Sequence, residues 1–431
     1  MRWLLVSRQH HPAHGGIGTY VQRFCRAARS HGWHVELVTQ RDDDFPPCAQ
    51  VHQVRTLDMM PEFQSRIDRL REMHRVRPYR YALWSKAVAE RLLSIRGDFD
   101  AVEFVDCQAE GFASLGCAAV RERFSNAAFI VHAHTPMFVE EQINGVDESL
   151  FGRSIYHGWE QRALTMADGL ITTSSVMTPW LARSATIIPY PIEDDLEPRR
   201  TKCEERILLV GTLQPRKGIE TWVRSLRTVF QQRPRATALL IGADTPSAPG
   251  GYSMAAHVQR LLEPPVRDRF CWTGSLSHQQ TCDLIGESSL LVVPSLLESF
   301  SFAATEALLA GTPVIVSDRT GIAEHVPLLR RVACHAVGAW ATAQVEALSD
   351  IDAAMEHAFH CRAEMLESCA PLRVLASRAA LVESVASNYH AHARAATEQG
   401  DSLAEMARFI SEVDAQDSGC PAEAAASIVA S

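Results

Sequence analysis

No stretch of this chain approaches the roughly 18 consecutive apolar residues that a membrane-spanning helix needs, so a bilayer-crossing protein is not expected. Basic charge is also short. The 42 Lys and Arg stand against 51 Asp and Glu, for a net charge of −9. That balance argues against nucleic-acid binding, which needs a basic footprint. The 11 cysteines are scattered and form no C-x-x-C pair. Buried free thiols in a reducing, cytoplasmic setting fit them better than disulfides or zinc. The apolar start at Trp3-Leu4-Leu5-Val6 is too short for a signal peptide and reads as a first strand.

What is present is an alternation of strands and helices. The 431 residues allow two or three domains, with two the better fit. Strand patterns at Trp3 to Ser7, His34 to Thr39, Val51 to Leu57, Ala101 to Val105, Ala128 to His132 and Leu170 to Thr172 alternate with helical stretches. This predicts an α/β fold with a parallel sheet covered on both faces, over residues 1–195. Prolines and charges cluster from Ile187 to Lys202 without apolar periodicity, which marks a boundary. A second α/β pattern starts at Ile207 and occupies residues 203–371.

The densest chemistry lies in Pro294-Ser295-Leu296-Leu297-Glu298-Ser299-Phe300-Ser301-Phe302, continuing to Glu306 and stopping at Gly311-Thr312-Pro313. A buried strand, Leu290 to Val293, runs into a polar loop, then a helix, then a second strand at Val314. The loop falls at the carboxyl edge of the sheet, where open α/β sheets bind ligands. Unpaired N–H groups and the positive dipole end of a helix suit phosphate there. Two acids flanking that seat suit hydroxyls instead. The ligand is therefore expected to carry both phosphate and sugar. Gly15-Gly16-Ile17-Gly18, after the first strand, allows close backbone approach to a ligand, although it is not a G-x-G-x-x-G fingerprint. Arg216 and Lys217, after Gly211 and before Gly218, place two cations at a helix start, against its dipole. Such a pair can stabilise a departing diphosphate. His132 and His134 share one face at the end of a strand. A metal site with His10, His11 or His14 is the weaker reading, because no acidic cluster joins them.

Taken in order, these segments resemble the retaining GT-B glycosyltransferases of family 4. The resemblance runs from about Arg2 to His392 and is strongest from Glu298 through Glu306-Ala307-Leu308-Leu309-Ala310-Gly311-Thr312-Pro313. It implies two Rossmann-like domains facing across a cleft, with a last helix, 372–395, crossing back to the first domain. It also implies a nucleotide-diphosphate-sugar donor as co-substrate, with no metal or other cofactor. By resemblance, His134 and Glu298 lie at the reacting carbon. Gly15, Gly16, Lys217, Ser299, Phe300 and Ser301 hold the diphosphate, with Arg216 expected to supply the charge that Thr212 lacks, and Glu306 holds the ribose. Two departures stand out. Thr212 occupies a position where the family often has Arg, and Ser301 replaces a common glycine, which is tolerable if its φ is negative. The implied activity is transfer to an acceptor hydroxyl in polysaccharide, glycolipid or glycoconjugate synthesis. The rivals are a nucleotide-sugar epimerase or hydrolase on the same fold, and a non-catalytic nucleotide-sugar-binding subunit.

Two further stretches carry expectations. Arg66, Arg69, Arg71, Arg75, Arg77 and Arg80, with Tyr79, Tyr81 and Trp84, form a basic and aromatic segment. One reading is a solvated helix face. The other is contact with an anionic or lipid-linked acceptor, or peripheral contact with the inner face of a membrane. Residues 396–431 are Ala-rich and mostly acidic, and are expected to be a flexible tail with one transient helix. There Leu403, Met406 and Ile410 share a face, so a docking helix for a partner is the alternative.

Overall fold

The computed structural model describes residues 1–9, 15–40, 46–60, 63–72, 76–146, 153–200, 202–203, 205–386, 398 and 400–418. Seven parallel strands make the first sheet: β1 (Arg2–Val6), β2 (His34–Thr39), β3 (Gln50–Gln53), β4 (Ala101–Val105), β5 (Ala128–Ala133), β6 (Gly169–Thr172) and β7 (Thr186–Ile187). Their order is β3-β2-β1-β4-β5-β6-β7. Six parallel strands make the second: β8 (Arg206–Val210), β9 (Thr237–Ile241), β10 (Phe270–Trp272), β11 (Leu290–Val293), β12 (Val314–Ser317) and β13 (Arg330–Val332). Their order is β10-β9-β8-β11-β12-β13. Helices cover both faces, so central strands such as Leu290–Val293 are buried throughout and read as unbroken apolar runs.

Each sheet reverses its strand order once, between β1 and β4 in the first and between β8 and β11 in the second. Loops leaving such neighbours diverge and open a crevice beyond the strand ends. Gly15 follows β1, Arg216 and Lys217 follow β8, and Glu298 follows β11. Three of the loops singled out in the sequence therefore leave from switch points.

One apolar cluster joins the two sheets. It contains Trp3, Tyr20, Phe24 and Tyr190 from the first domain and Leu291, Phe300 and Ile322 from the second. The helix Pro371–Ala386 extends this seam and packs on β5 and β6. Its Arg378 is fully buried beneath the first sheet. Arg378 Nη1 donates to Glu103 Oε2 at 2.5 Å, and the guanidinium lies 4.7 Å from the Phe24 ring centroid. Burial alone would raise the Glu103 pKa, but Arg378 and His132 outweigh it and hold the carboxylate at about 2. Residues 387–395 of the expected crossover helix lie outside the described residues.

The tail departs from expectation. Ser402–Ser418 is a helix docked on the first domain. Met406, Ile410 and Val413 are buried, and each such side chain contributes roughly 1.5–3 kcal/mol. Arg162 pairs with Glu405 at 2.8 Å, and Asp414 accepts from Arg66 and from Tyr79 Oη. The shared face of Met406 and Ile410 thus finds its partner within the chain. Residues 419–431 lie outside the described ones.

The basic segment is largely spent on the fold. Tyr79, Tyr81 and Trp84 are buried, Arg77 pairs with Glu141 at 2.7 Å, and Arg80 pairs with Asp58 at 2.7 Å. This favours a paired helix face over a patch for an anionic acceptor or membrane. The Arg71 side chain and Arg75 lie outside the description. Among the described residues no helix is long and apolar enough to cross a membrane.

Candidate active site

The loop after β11 is pinned before its helix begins. Glu298 N–H donates to the Arg319 carbonyl at 3.0 Å, and Gly321 N–H donates to the Glu298 carbonyl at 2.8 Å. Gly321 is required by close approach. A Cβ there would lie 2.1 Å from both the Ser299 carbonyl oxygen and Ser174 Oγ. The Ser299 carbonyl accepts from Thr173 Oγ1 at 2.8 Å and Ser174 Oγ at 2.6 Å, so first-domain hydroxyls hold this loop. The N–H groups of Ser299, Phe300, Ser301 and Phe302 make no hydrogen bond among the described residues. These four donors run up to the start of the helix Phe302–Leu309 and make the loop a candidate anion seat.

Ser301 overturns the condition placed on it. Its φ is 106° and its ψ is 94°, a region that favours glycine. The residue is kept there by its role as N-cap. Its Oγ accepts from Ala304 N–H at 3.3 Å. A strained backbone at the mouth of the candidate site costs on the order of 1–3 kcal/mol.

The cation pair sits on the short turn Pro215–Lys217, which ends at Gly218 with a left-handed φ of 67°. A Cβ on Gly218 would meet the Pro294 carbonyl oxygen at 1.9 Å, so this turn packs directly on the end of β11. The contact brings Lys217 Nζ into hydrogen bonding with Glu298 Oε2, and Arg216 Nη1 lies 3.6 Å from the same oxygen. Burial would push the Glu298 pKa up, but Lys217 and Arg216 dominate and lower it, so the carboxylate is charged. Arg216 also reaches Glu140 at 3.4 Å, and its N–H donates to Asn144 Oδ1 at 2.9 Å. Both partners belong to the first domain. Thr212 is exposed and outside this cluster of contacts.

Across the seam, His134 Nδ1 lies 2.5 Å from Tyr190 Oη, and its ring stacks on His132 with centroids 4.1 Å apart. Burial lowers the His134 pKa well below the usual range, and His132 and Arg378 lower it further, so the ring is neutral. Its Nε2 has no partner among the described residues. Tyr190 stacks on Phe302 at 4.9 Å with the planes 6° apart, and Thr135 Oγ1 lies 3.5 Å from Ser299 Oγ. His134 is thereby tied to the anion seat. The only group of three or more candidate metal ligands among the described residues excludes His132 and His134. His10, His11 and His14 lie outside the described residues. Gly15 precedes the first helix, and Gly16 faces Phe302, at 3.8 Å from the position of a Cβ.

Glu306 lies one turn into the helix, buried, and its carboxylate has no hydrogen bond among the described residues. Burial raises its pKa to about 7. Arg23 opposes that shift and Asp195 adds to it.

Residues 15–191 match the Glycosyl transferase 4-like domain, and residues 204–350 match Glycosyl transferases group 1. Both domains match glycosyltransferase models, and the chain is a glycosyltransferase. An MMP α-(1→4)-mannosyltransferase from Mycolicibacterium hassiacum is 22% identical over 357 residues, covering 76% of this chain and 83% of that protein. Sucrose-phosphate synthase from Thermosynechococcus elongatus superposes with a TM-score of 0.64 at 20% identity, covering 89% of this chain and 98% of that one. HepE from Anabaena, in complex with UDP and glucose, gives 0.61 at 14% identity, covering 89% and 100%. The fold is GT-B.

In this glycosyltransferase the structure brings Glu298, Lys217, Arg216, Ser299 and His134 to one seam. Sequence reasoning missed Tyr190, Glu140 and Asn144. Tyr190 lies in the Pro-rich boundary, where only the prolines gave a signal. Its place between His134 and Phe302 depends on the docking of both domains. Glu140 and Asn144 carry no motif at all.

Proposed function

We propose that this glycosyltransferase moves a sugar from a nucleotide-diphosphate sugar to an acceptor hydroxyl, without metal and with retention of anomeric configuration. The carrying observation is the meeting of Lys217, Arg216 and Glu298 beside four unpaired N–H groups. A diphosphate seated on those N–H groups would draw Lys217 and Arg216 from Glu298. The two cations would stabilise the charge that grows on the leaving phosphate. Glu298, freed from them, would accept hydrogen bonds from the donor sugar. Neutral His134 would offer Nε2 near the anomeric carbon, and Glu306 would accept from the ribose. Front-face attack by the acceptor, with the departing phosphate taking its proton, accounts for retention. HepE, of the same fold, holds UDP and glucose, which supports a nucleotide-sugar donor here. Closure of the seam over the donor would limit hydrolysis.

Synthesis of a surface polysaccharide, glycolipid or other glycoconjugate is the proposed setting. The acceptor is a hydroxyl-bearing saccharide, free or lipid-linked. The stereochemical test is the anomeric coupling constant of the first-formed product by proton NMR, with chelator present. An α-donor should give an α-product. A β-product would overturn the retaining mechanism, and activity lost on chelation would overturn metal independence.

A further inference from the structure

Three side chains with metal-ligating atoms meet at the edge of the donor site. His278 opens the helix His278–Glu287, and Cys282 lies one turn later on the same face. Glu306 approaches from the neighbouring helix Phe302–Leu309. His278 Nδ1 is 3.7 Å from Glu306 Oε1 and 4.0 Å from Cys282 Sγ, and one ligand atom from each residue lies within 4.8 Å of the others. A tetrahedral zinc bound by N, S and O separates its ligands by roughly 3.3–3.7 Å. The two distances to His278 are close to that range. The Cys282 and Glu306 ligand atoms lie within 4.8 Å of each other, so a small movement of either side chain completes the set.

The ligand set is selective. Thiolate with imidazole suits zinc-type ions, whereas magnesium and calcium prefer oxygen alone. Glu306 supplies the second, independent observation. Its carboxylate is more than nine-tenths buried and has no hydrogen bond among the described residues, with His278 its one ion-pair partner there. Three protein ligands leave a fourth position for water. Coordination requires Cys282 Sγ to give up its proton to solvent as the metal–sulfur bond forms.

We infer that His278, Cys282 and Glu306 form a site for a thiophilic divalent cation of the zinc type, and that its occupancy withdraws Glu306 from the nucleotide ribose. The first half stands on the three side chains alone. The second half rests on the ribose role given to Glu306 above. The cation would be an inhibitor of donor binding and would take no part in transfer.

The test uses the full chain, stripped of metal and titrated with Co²⁺. A thiolate-to-cobalt charge-transfer band should grow to one ion per chain and bleach on adding Zn²⁺. Cys282→Ser should abolish the band, and His278→Ala should weaken cobalt binding at least about tenfold, as loss of a direct ligand exceeds loss of an outer-shell partner. UDP, GDP and ADP are then titrated in turn, with and without Zn²⁺. The nucleotide that binds should bind at least about tenfold more weakly with Zn²⁺ in the wild type and equally in Cys282→Ser. An unchanged melting temperature of metal-free Cys282→Ser shows that the variant is folded. Absence of the cobalt band in the wild type, or its persistence in Cys282→Ser, overturns the site. A bound metal that leaves nucleotide affinity unchanged overturns the inhibition. If Glu306→Gln also leaves that affinity unchanged, the ribose role is what fails and the metal site stands.

Discussion

Tyr190 Oη and His134 Nδ1 lie 2.5 Å apart, although 56 residues separate them in the chain. The hydroxyl fixes the orientation of a buried, neutral imidazole whose Nε2 has no partner among the described residues. Tyr190→Phe keeps the stacking on Phe302 but leaves His134 Nδ1 buried and unpaired. Stability should fall by about 1–3 kcal/mol in chemical denaturation. Transfer should fall further than nucleotide binding, because the imidazole would lose its fixed direction.

Gly218→Ala tests the contact that presents the cations. The added Cβ would sit 1.9 Å from the Pro294 carbonyl oxygen, at a residue with φ of 67°. The turn must shift, at a cost of about 2 kcal/mol or more. Lys217 then leaves Glu298. Calorimetry should show nucleotide-diphosphate affinity reduced at least about tenfold.

Ser301→Gly should stabilise the protein. Relief of a positive φ is worth on the order of 1–3 kcal/mol. Loss of the Oγ cap costs a few tenths, and the freer unfolded chain costs about 0.4–1 kcal/mol. A net gain near 1 kcal/mol is expected from the shift in denaturation midpoint.

Glu306 gives a pH signature. Its folded pKa is raised to about 7, above the ordinary carboxylate value. Between that value and 7 the folded state binds more protons than the unfolded one. This residue's contribution therefore makes stability fall as pH rises through the window. Glu306→Gln should remove that part of the slope and leave the protein more stable than wild type at pH 8. Nucleotide affinity should rise with pH through 7 in the wild type, as the charged acceptor forms, and stay flat in the variant.

Much of the second domain is legible because its chemistry is local. Leu290 to Val314 carries strand, loop, helix and strand in one run, so the placement of Glu298 and Glu306 follows from short-range pattern. Lys217 could be read as a misfit against the helix dipole. Tyr190 could not, since its partners His134 and Phe302 come from both domains and meet only when the seam closes. The acidic, Ala-rich surroundings of the helix Ser402–Ser418 point to a loose tail, whereas Met406 and Ile410 find an apolar surface that no local window reveals. Arg66, Arg77 and Arg80 leave two readings open in the sequence for the converse reason. Their acids, Asp414, Glu141 and Asp58, lie far away in sequence or on another element. Ser301 was legible as an exception to a glycine but not in its φ, which the cap at Ala304 stabilises.

Nucleotide-sugar transfer itself is tested most directly by turnover. Wild type, Lys217→Ala and Glu298→Ala are incubated with a panel of nucleotide-diphosphate sugars, with and without saccharide acceptors, in chelator. Free nucleotide and glycosylated product are quantified together. The expected result is equal release of nucleotide and product by the wild type with one donor, dependent on acceptor and abolished in both variants. Binding of donor without turnover under every condition, or nucleotide release independent of acceptor, would contradict it.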